Sequence, residues 1–354
     1  MSVASVPPQA KFLVIRRDNI GDLLCTTPLI RALRERYPQA WIGVLANTYN
    51  APVLAGNADI DVVYAYEKAK HRPAGSSFFA WLLKRLRLLR DLRRQRIDYA
   101  ILAAPGFQAS ALRFARFAGA RHIIGYTNGL SGAAHIDMPV ALDTQQAHEV
   151  EATFHLLQAL GIAGKPPSMR LCADVAEVAA ARALLGADLA QARGPLVGLH
   201  ISARKPQQRW PIAHYAELAR RLLADGAGGV LLFWAPGAAD DALHPGDDNK
   251  ARELLAMLAG LPIAPVATAR LEQLIAGLSL CDRVICSDGG AMHIAAALGK
   301  PIVCFFGNSG AHRWHPWGVP HVVLQKESQD VNDITVDEAT VAYSMLMREI
   351  GAAV

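Results

Sequence analysis

The chain has 354 residues, a length that suits about two domains, and 52% of them are apolar, ample for two cores. No apolar run approaches the roughly 20 residues of a membrane span. The start, Met-Ser-Val-Ala-Ser-Val-Pro-Pro-Gln-Ala, lacks the blocks of a signal peptide, and five scattered cysteines (Cys25, Cys172, Cys281, Cys286, Cys304) without a CxxC pair fit reduced core thiols in a cytosolic protein better than disulfides or zinc.

The net charge of +5 is uneven. Residues 1–172 hold 21 Lys/Arg against 12 Asp/Glu, and residues 173–354 hold 15 against 19. The first half is therefore set to meet an anionic partner: nucleic acid, a phosphorylated sugar or an anionic membrane face. In chain order, Phe12 to Ile15 is strand-like and residues 22–36 fit a helix. Between them runs Arg16-Arg17-Asp18-Asn19-Ile20-Gly21-Asp22, which places Asp22 at a helix start just past a strand. An acid there is either an ordinary first-turn residue or a general base. Strand character returns at Ala40 to Leu45 and at Val62 to Tyr66.

Residues 78–96 predict a strongly basic helix, with Lys84, Arg85, Arg87, Arg90, Arg93, Arg94 and Arg96 opposed only by Asp91. Leu82, Leu86 and Leu89 share one face at helical spacing, and Arg87, Arg90 and Arg94 fall largely opposite. This is either a solvated face or a contact surface for phosphates or anionic lipid heads. A strand at Tyr99 to Leu102 and a helix at 146–160 follow, and Gly161 to Pro167 reads as a domain linker.

The pattern then restarts. A helix at 175–186 leads to a strand at 196–200, a helix at 212–224 to a strand at 230–234, and a last helix fits 336–350. Buried strands alternating with helices predict α/β domains with parallel sheets, whose ligands lie beyond the carboxyl ends of the strands. The loop after strand 196–200 carries Ser202, Arg204, Lys205, Gln208 and Arg209. It is either solvated or able to clamp a diphosphate. After strand 230–234, Asp240 is either a ribose hydrogen-bond acceptor or a plain loop residue.

The most informative stretch is 282–307: an apolar run, then Ser287-Asp288-Gly289-Gly290, a helix of small residues from Ala291 to Leu298, and a second apolar run closing at Gly307. The backbone N–H groups at such a helix start are unpaired and suit a phosphate, although a plain crossover turn has the same spacing. GxGxxG after the first strand, GxxxxGK[ST] and GxSxG are absent, against a nicotinamide dehydrogenase, a P-loop nucleotidase and an α/β-hydrolase. The 12 histidines form no pair at metal spacing, so no metal site is expected.

With these residues in hand, the chain resembles the heptosyltransferases of bacterial lipopolysaccharide synthesis, in glycosyltransferase family 9. The likeness rests on Arg16 to Pro28 with its Gly21-Asp22, on the loop before Arg209-Trp210-Pro211, and on Ser287 to Gly307 with the following Arg313-Trp314-His315-Pro316-Trp317-Gly318. His148-Glu149-Val150 is also similar to the family. The resemblance implies a GT-B fold, two Rossmann-like domains facing a cleft. Residues 1–165 would bind the acceptor and 166–335 the nucleotide sugar, and a C-terminal helix at 336–354 would pack back on the first domain.

It further implies inverting, metal-independent transfer of a heptose from ADP-L-glycero-D-manno-heptose to the lipopolysaccharide inner core, without a cofactor. The family's catalytic aspartate falls on Asp22. Its donor residues fall on Asp288, Gly290 and His293, with Gly289, Ala291, Ser202, Lys205, Gln208, Arg209 and Asp240 completing the expected donor set. Arg17, Asn19, Arg87, Arg90 and Arg94 are the expected acceptor contacts. The expected partners are a nucleotide sugar, an anionic glycolipid and, transiently, the cytoplasmic face of the inner membrane. A monomer at that face is expected, and nucleic-acid binding is not. Two positions depart from the family: Gly289 stands where Thr or Ser is common, and Gln208 where lysine is common. The alternatives are another ADP- or UDP-sugar as donor, or a non-catalytic glycolipid-binding relative.

Overall fold

The computed structural model describes residues 6–67, 78–127, 133–141, 148–186, 189, 191, 193–238 and 246–352. The chain divides into two compact units, Met1–Arg170 and Leu171–Val354. The first contains β1 (Lys11–Ile15), α1 (Ile20–Leu24), α2 (Thr27–Arg36), β2 (Trp41–Asn47), β3 (Val62–Tyr66), α3 (Phe78–Arg94), β4 (Tyr99–Leu102), α4 (Ala109–Ala118), β5 (His122–Tyr126), β6 (Met138–Val140) and α5 (Glu149–His155). The second contains α6 (Val175–Ala183), β7 (Leu196–His200), α7 (Ile212–Ala224), β8 (Gly229–Trp234), α8 (Asp248–Met257), β9 (Ile263–Ala267), α9 (Leu271–Ser279), β10 (Arg283–Ser287), α10 (Gly290–Ala297), β11 (Ile302–Phe306), α11 (Ala311–Trp314), β12 (His321–Gln325) and α12 (Val336–Ala352).

Each unit is built on a parallel sheet of six strands, ordered β3-β2-β1-β4-β5-β6 and β12-β11-β10-β7-β8-β9. The two orders are one doubly wound plan used twice, with the reversal of winding between β1 and β4 and between β7 and β10. Phe12 lies opposite Tyr99 and Ile15 opposite Leu102 at the first reversal. Val197 lies opposite Arg283 and His200 opposite Cys286 at the second. A doubly wound sheet opens a crevice at its reversal, beyond the carboxyl ends of the strands. The loops that start at Arg16 and Ala103 and those that start at Ile201 and Asp288 therefore occupy the two ligand positions of the fold.

The continuous apolar strands are explained by burial on both faces. Leu13, Ile15, Ala100 and Leu102 share a core with Leu92 of α3 and Phe114 of α4. In the second unit Val197, Leu199, Val230, Leu232, Ile285 and Phe305 pack with Trp210, Tyr215 and Leu218. The last helix, expected on the first domain, has Ala339, Ala342, Tyr343 and Leu346 in this second core. The unit boundary falls at 170/171, five residues past the expected 165/166.

Two expected elements differ. The helix expected over 22–36 is two helices, α1 and α2. Pro28 sits in the first turn of α2 and has no N–H for the Leu24 carbonyl, which the Thr27 hydroxyl satisfies instead at 2.7 Å. On α3 the buried face is not the expected Leu82-Leu86-Leu89. Leu92 is enclosed, Leu88 and Leu89 pack against the core, and Leu86 is 53% exposed.

The α9 helix approaches its sheet closely because Gly277 lacks a side chain. A Cβ there would lie 2.5 Å from the Phe233 ring, which is wholly enclosed. Gly277→Ala would gain up to about 1 kcal/mol of helix propensity. Overpacking of a closed core costs roughly 1–3 kcal/mol, and a trapped ring cannot swing clear. Urea unfolding of this variant should show a net loss of stability; equal or greater stability would mean that the contact relaxes.

Candidate functional site

At the carboxyl end of β1 the chain places a buried cation among three acids. Arg16 is only 2% exposed. Its guanidinium pairs with Asp22, with Glu149 at 2.7 Å and with Asp18 at 3.2 Å, and it donates to the Ala103 carbonyl at 2.5 Å. Glu149, also buried, comes from the first turn of α5, and Asp22 lies on α1. A buried charge is tolerated only when paired and hydrogen-bonded, so these contacts fix Arg16 and, through it, the acids.

Asp22 is held on both carboxylate oxygens. Oδ1 accepts from Arg16, and Oδ2 accepts from the Asn19 backbone N–H and from Asn19 Nδ2, each at 3.0 Å. Burial by itself would push this carboxyl up. The Arg16 charge and the Asn19 amide outweigh it and hold Asp22 below the ordinary carboxylate range. Burial would likewise lower Arg16, but Asp22, Glu149 and Asp18 raise it. A carboxylate has about four acceptor positions, and three are taken here, which leaves Asp22 one position for an incoming hydroxyl.

The loop between Arg16 and Asp22 is fixed from below. Asn47 Nδ2 donates to the carbonyls of Arg17 (3.1 Å) and Asp18 (2.9 Å), and Asn50 Nδ2 donates to that of Asn19 (3.2 Å). Arg17 bonds Tyr66 and Ser110, and its guanidinium lies over the Tyr66 and Phe114 rings at 5.2 and 5.1 Å. Of the two acceptor contacts expected here, Asn19 binds Asp22 directly and Arg17 is engaged by Tyr66, Ser110 and Phe114. Arg87, Arg90 and Arg94 are exposed on α3.

The second unit presents a different chemistry. After β10, Asp288 and Gly289 lead into α10, and its first helical bond runs from the His293 N–H to the Gly289 carbonyl at 3.4 Å. The N–H groups of Gly290, Ala291 and Met292 precede that bond, at the positive end of the helix dipole. A Cβ on Gly289 would meet nothing within 4 Å, so there is space beside the turn that leads into α10. His293 is buried on α10, edge-on to Trp314 at 6.0 Å.

Gln208 is buried in the loop after β7 and donates to Asp288 Oδ2 at 2.9 Å. The Ser309 hydroxyl donates to the same oxygen at 2.5 Å, and Gln208 also reaches Ser309 at 3.2 Å. Gln208 therefore braces Asp288. Lys205 reaches Asn308 at 3.4 Å, and Arg209 folds onto the carbonyls of Ala203 (2.9 Å) and Arg204 (3.4 Å). Ser202 accepts from the Ala235 N–H at 2.9 Å, which ties the loop to the end of β8. Gly307 lets this loop lie close, since a Cβ there would sit 2.4 Å from the Gln207 carbonyl oxygen. Packing pushes the His200 imidazole, where the loop begins, down to about 4, so it is neutral at neutral pH.

The structure brings Ser202, Lys205, Gln208, Arg209, Asp288, Gly289, Gly290, Ala291 and His293 to the carboxyl ends of neighbouring strands. Asp240 lies outside the described residues. Sequence reasoning gave no role to Arg16, Glu149, Asn308 or Ser309. Arg16 carried a signal, a cation at a strand end with acids two and six residues on. Glu149 lies 133 residues from Arg16, and its likeness to the family within His148-Glu149-Val150 did not point to Arg16. Asn308 and Ser309 follow the end of β11, and parallel pairing of β10 with β11 sets them beside Asp288.

Comparison with known proteins gives a consistent result. Residues 85–339 match the family model described as glycosyltransferase family 9 (heptosyltransferase). The chain is 29% identical over 308 residues to lipopolysaccharide heptosyltransferase 2 of Salmonella typhimurium, covering 84% of this chain and 83% of that protein. The fold matches that of a family 9 glycosyl transferase from Veillonella parvula, with a TM-score of 0.82, 19% identity and coverage of 98% and 99% of the two chains. It also matches E. coli ADP-heptose lps heptosyltransferase II, with a TM-score of 0.74, 24% identity and coverage of 96% and 99%. Both structural likenesses establish the architecture as GT-B-like.

Arg16→Met tests the buried network. Removing one partner of a buried charge cluster leaves the others uncompensated and costs about 3–5 kcal/mol. An acid whose folded pKa is depressed contributes stability that is present above its unfolded value, near 3.8 for Asp22, and lost as pH falls through the folded value. The variant should therefore unfold at lower urea concentration at pH 7 and lose less further stability on acidification than the wild type. Parallel stability curves from pH 7 to pH 3 would show that the network does not hold Asp22 ionised.

Proposed function

The chain belongs to glycosyltransferase family 9, and we propose that it transfers a heptose from ADP-L-glycero-D-manno-heptose to the inner core of lipopolysaccharide, with inversion. The proposal includes action without a metal ion or cofactor, as a monomer, from the cytoplasmic face of the inner membrane, on an anionic glycolipid. Among the described residues no helix is long and apolar enough to cross a membrane, so such an enzyme would meet its acceptor from the surface.

The observation that carries the reading is Asp22, a buried carboxylate held ionised at the carboxyl end of β1 with one acceptor position left. In the proposed step an acceptor hydroxyl donates to Asp22 and attacks the anomeric carbon. The bond from that carbon to the diphosphate oxygen breaks, and the electron pair leaves with the diphosphate. A low-pKa carboxylate is a weak base toward a free hydroxyl. It takes the proton late, when attack has made that hydroxyl acidic. The leaving charge is met by the amides of Gly290, Ala291 and Met292 and by Lys205. Arg209, bound to carbonyls of its own loop, shapes that loop as well as adding charge.

A second reading, the same reaction with another ADP- or UDP-sugar, is favoured by the neutral Gln208 beside Asp288, where the family commonly has a cation. Thermal shifts with a panel of nucleotide sugars separate the two.

Lys205→Ala should weaken binding of an ADP-sugar by about 1.5–3 kcal/mol and leave adenosine nearly unaffected, as expected for a lost charged hydrogen bond. Calorimetry with both ligands measures this, and equal losses would move Lys205 away from the diphosphate.

Asp22→Asn should lower kcat roughly 10²–10⁴-fold, the usual contribution of a positioned base, with donor affinity nearly intact. In the wild type, the acid limb of kcat/KM due to this group should fall below the ordinary carboxylate pKa of 3.8. A folded Asp22→Asn protein turning over within a few-fold of wild type would remove Asp22 from the mechanism.

A further inference from the structure

We propose that Arg17 and Arg85 form a receptor for an oxyanion on the acceptor, a carboxylate or a phosphate, and select the acceptor by it. Successive side chains at the end of a strand point to opposite faces. Arg16 turns to the face where three acids meet it. Arg17 turns to the other, where its Nε donates to the Tyr66 hydroxyl and its Nη1 to that of Ser110. Its guanidinium lies over the Tyr66 and Phe114 rings at 5.2 and 5.1 Å. Arg85 of α3 extends the stack, over Phe114 at 5.1 Å and Trp81 at 5.5 Å. The Tyr66 and Phe114 rings are themselves 5.1 Å apart. Three aromatic rings thus hold two guanidinium groups.

The partners of these two cations are neutral. Among the described residues neither arginine makes an ion pair, and Arg85 makes no hydrogen bond. Asp18, in the same loop as Arg17, is taken by Arg16 and by Gln108, each at 3.2 Å. Two cations therefore lie about 5 Å from one ring, that of Phe114, without a carboxylate to match them. A cation–π contact contributes only about 0.5–2 kcal/mol, and like charges brought together oppose one another. An anion bound to both relieves that opposition.

The donors suit such an anion. A guanidinium carries five N–H groups in a planar fork. Arg17 uses two of them on hydroxyls and Arg85 uses none. A fork already held by stacking binds a carboxylate or phosphate through two parallel hydrogen bonds with little further ordering. Both arginines are half-buried, so they are within reach of a ligand. Arg17 shares its loop with Asp22, and Ser110 lies in the first turn of α4, which has no acid. The N–H groups of that turn precede the first helical bond, from Leu112 to the Gln108 carbonyl at 3.0 Å, and add positive potential. Arg85 and Tyr66 also line a cavity of about 110 Å³ with Trp81, Lys84 and Glu67. Glu67 makes no ion pair across it. Its size is on the scale of the roughly 150 Å³ that holds a benzene ring, room for one substituent of an acceptor. The inference deepens the reading of an anionic acceptor and rests on that reading for its ligand.

The test is calorimetry of the full chain with deacylated, water-soluble inner-core oligosaccharide in three forms: native, dephosphorylated and carboxyl-reduced. The wild type should bind the native form roughly 10- to 100-fold more tightly than one of the modified forms, the contribution of charged hydrogen bonds. The modification that weakens binding names the anion as phosphate or carboxylate. Arg17→Gln and Arg85→Gln should each reduce this preference several-fold, and the double variant should bind native and modified forms alike. Arg17→Lys keeps the charge but not the fork, and should restore the preference only in part. Lost preference is a readout that a packing role does not move, because a loosened fold weakens all three forms together.

A wild type that binds all three forms alike, or binds none, overturns the proposal. So do folded variants with an unchanged melting temperature that keep the wild-type preference. Variants that lose affinity for the three forms in equal measure assign the stack to packing and overturn it as well. Should Arg17→Gln not fold, Arg85→Gln decides alone. A wild type that prefers the native oligosaccharide yet transfers nothing to it would sink the proposed reaction and leave the receptor standing. Transfer without any preference would do the reverse.

Discussion

The first unit depends on one buried guanidinium. Arg16 ends β1 inside the protein, and its charge is matched by acids from three places: Asp18 on its own loop, Asp22 on α1 and Glu149 on α5. An isolated cation so deeply enclosed would be strongly unfavourable. The fold at this point is therefore coupled to the ionisation of Asp22, and α5, far away in sequence, is fastened to the end of β1. The same arrangement that stabilises the unit holds Asp22 charged and in one orientation.

Under the proposed reaction, that coupling limits the kind of base Asp22 would be. Arg16 alone would leave it very weakly basic. Asp18 and Glu149 add negative charge around the same guanidinium and so divide its attraction among three carboxylates. In the proposed step such a network would give up basicity for orientation, which suits a proton that is taken only after attack has begun. It also accounts for the two asparagines beneath the loop. Asn47 and Asn50 satisfy the carbonyls of Arg17, Asp18 and Asn19, so the loop is held by neutral amides as well as by the charged groups.

Much of the fold was legible in the sequence, because strands buried on both faces of a parallel sheet read as short apolar runs and the helices between them keep a 3.6-residue period. β3, β4, β7, β11 and α7 fall where the pattern puts them. Where the pattern misled, a local cause is visible. Pro28 splits one expected helix because it cannot bond the Leu24 carbonyl, a need met instead by Thr27. On α3 the leucines repeat so densely that two apolar faces fit the periodicity, and only packing against Phe114 and its neighbours selects Leu92 over Leu86. Asp22 and the start of α10 were legible because each follows a strand directly. Glu149 and Ser309 were not, since strand pairing and helix packing, not sequence proximity, bring them in.

The two units show how one topology carries opposite electrostatics. In each, the loop after the first strand meets the loop after the fourth at the reversal of the sheet. In the first unit that place is filled with acids organised by a single cation. In the second it offers amide hydrogens and a lysine, and Asp288 there accepts from neutral donors on Gln208 and Ser309. Those two donors explain how the chain tolerates an uncharged side chain at 208. A carboxylate so near a phosphate position would repel it if left bare, and a lysine would neutralise it outright. An amide and a hydroxyl sharing one oxygen of Asp288 satisfy its lone pairs without cancelling its charge. Under the proposed reaction, more of the attraction for a diphosphate would come from Lys205 and from the N–H groups at the start of α10.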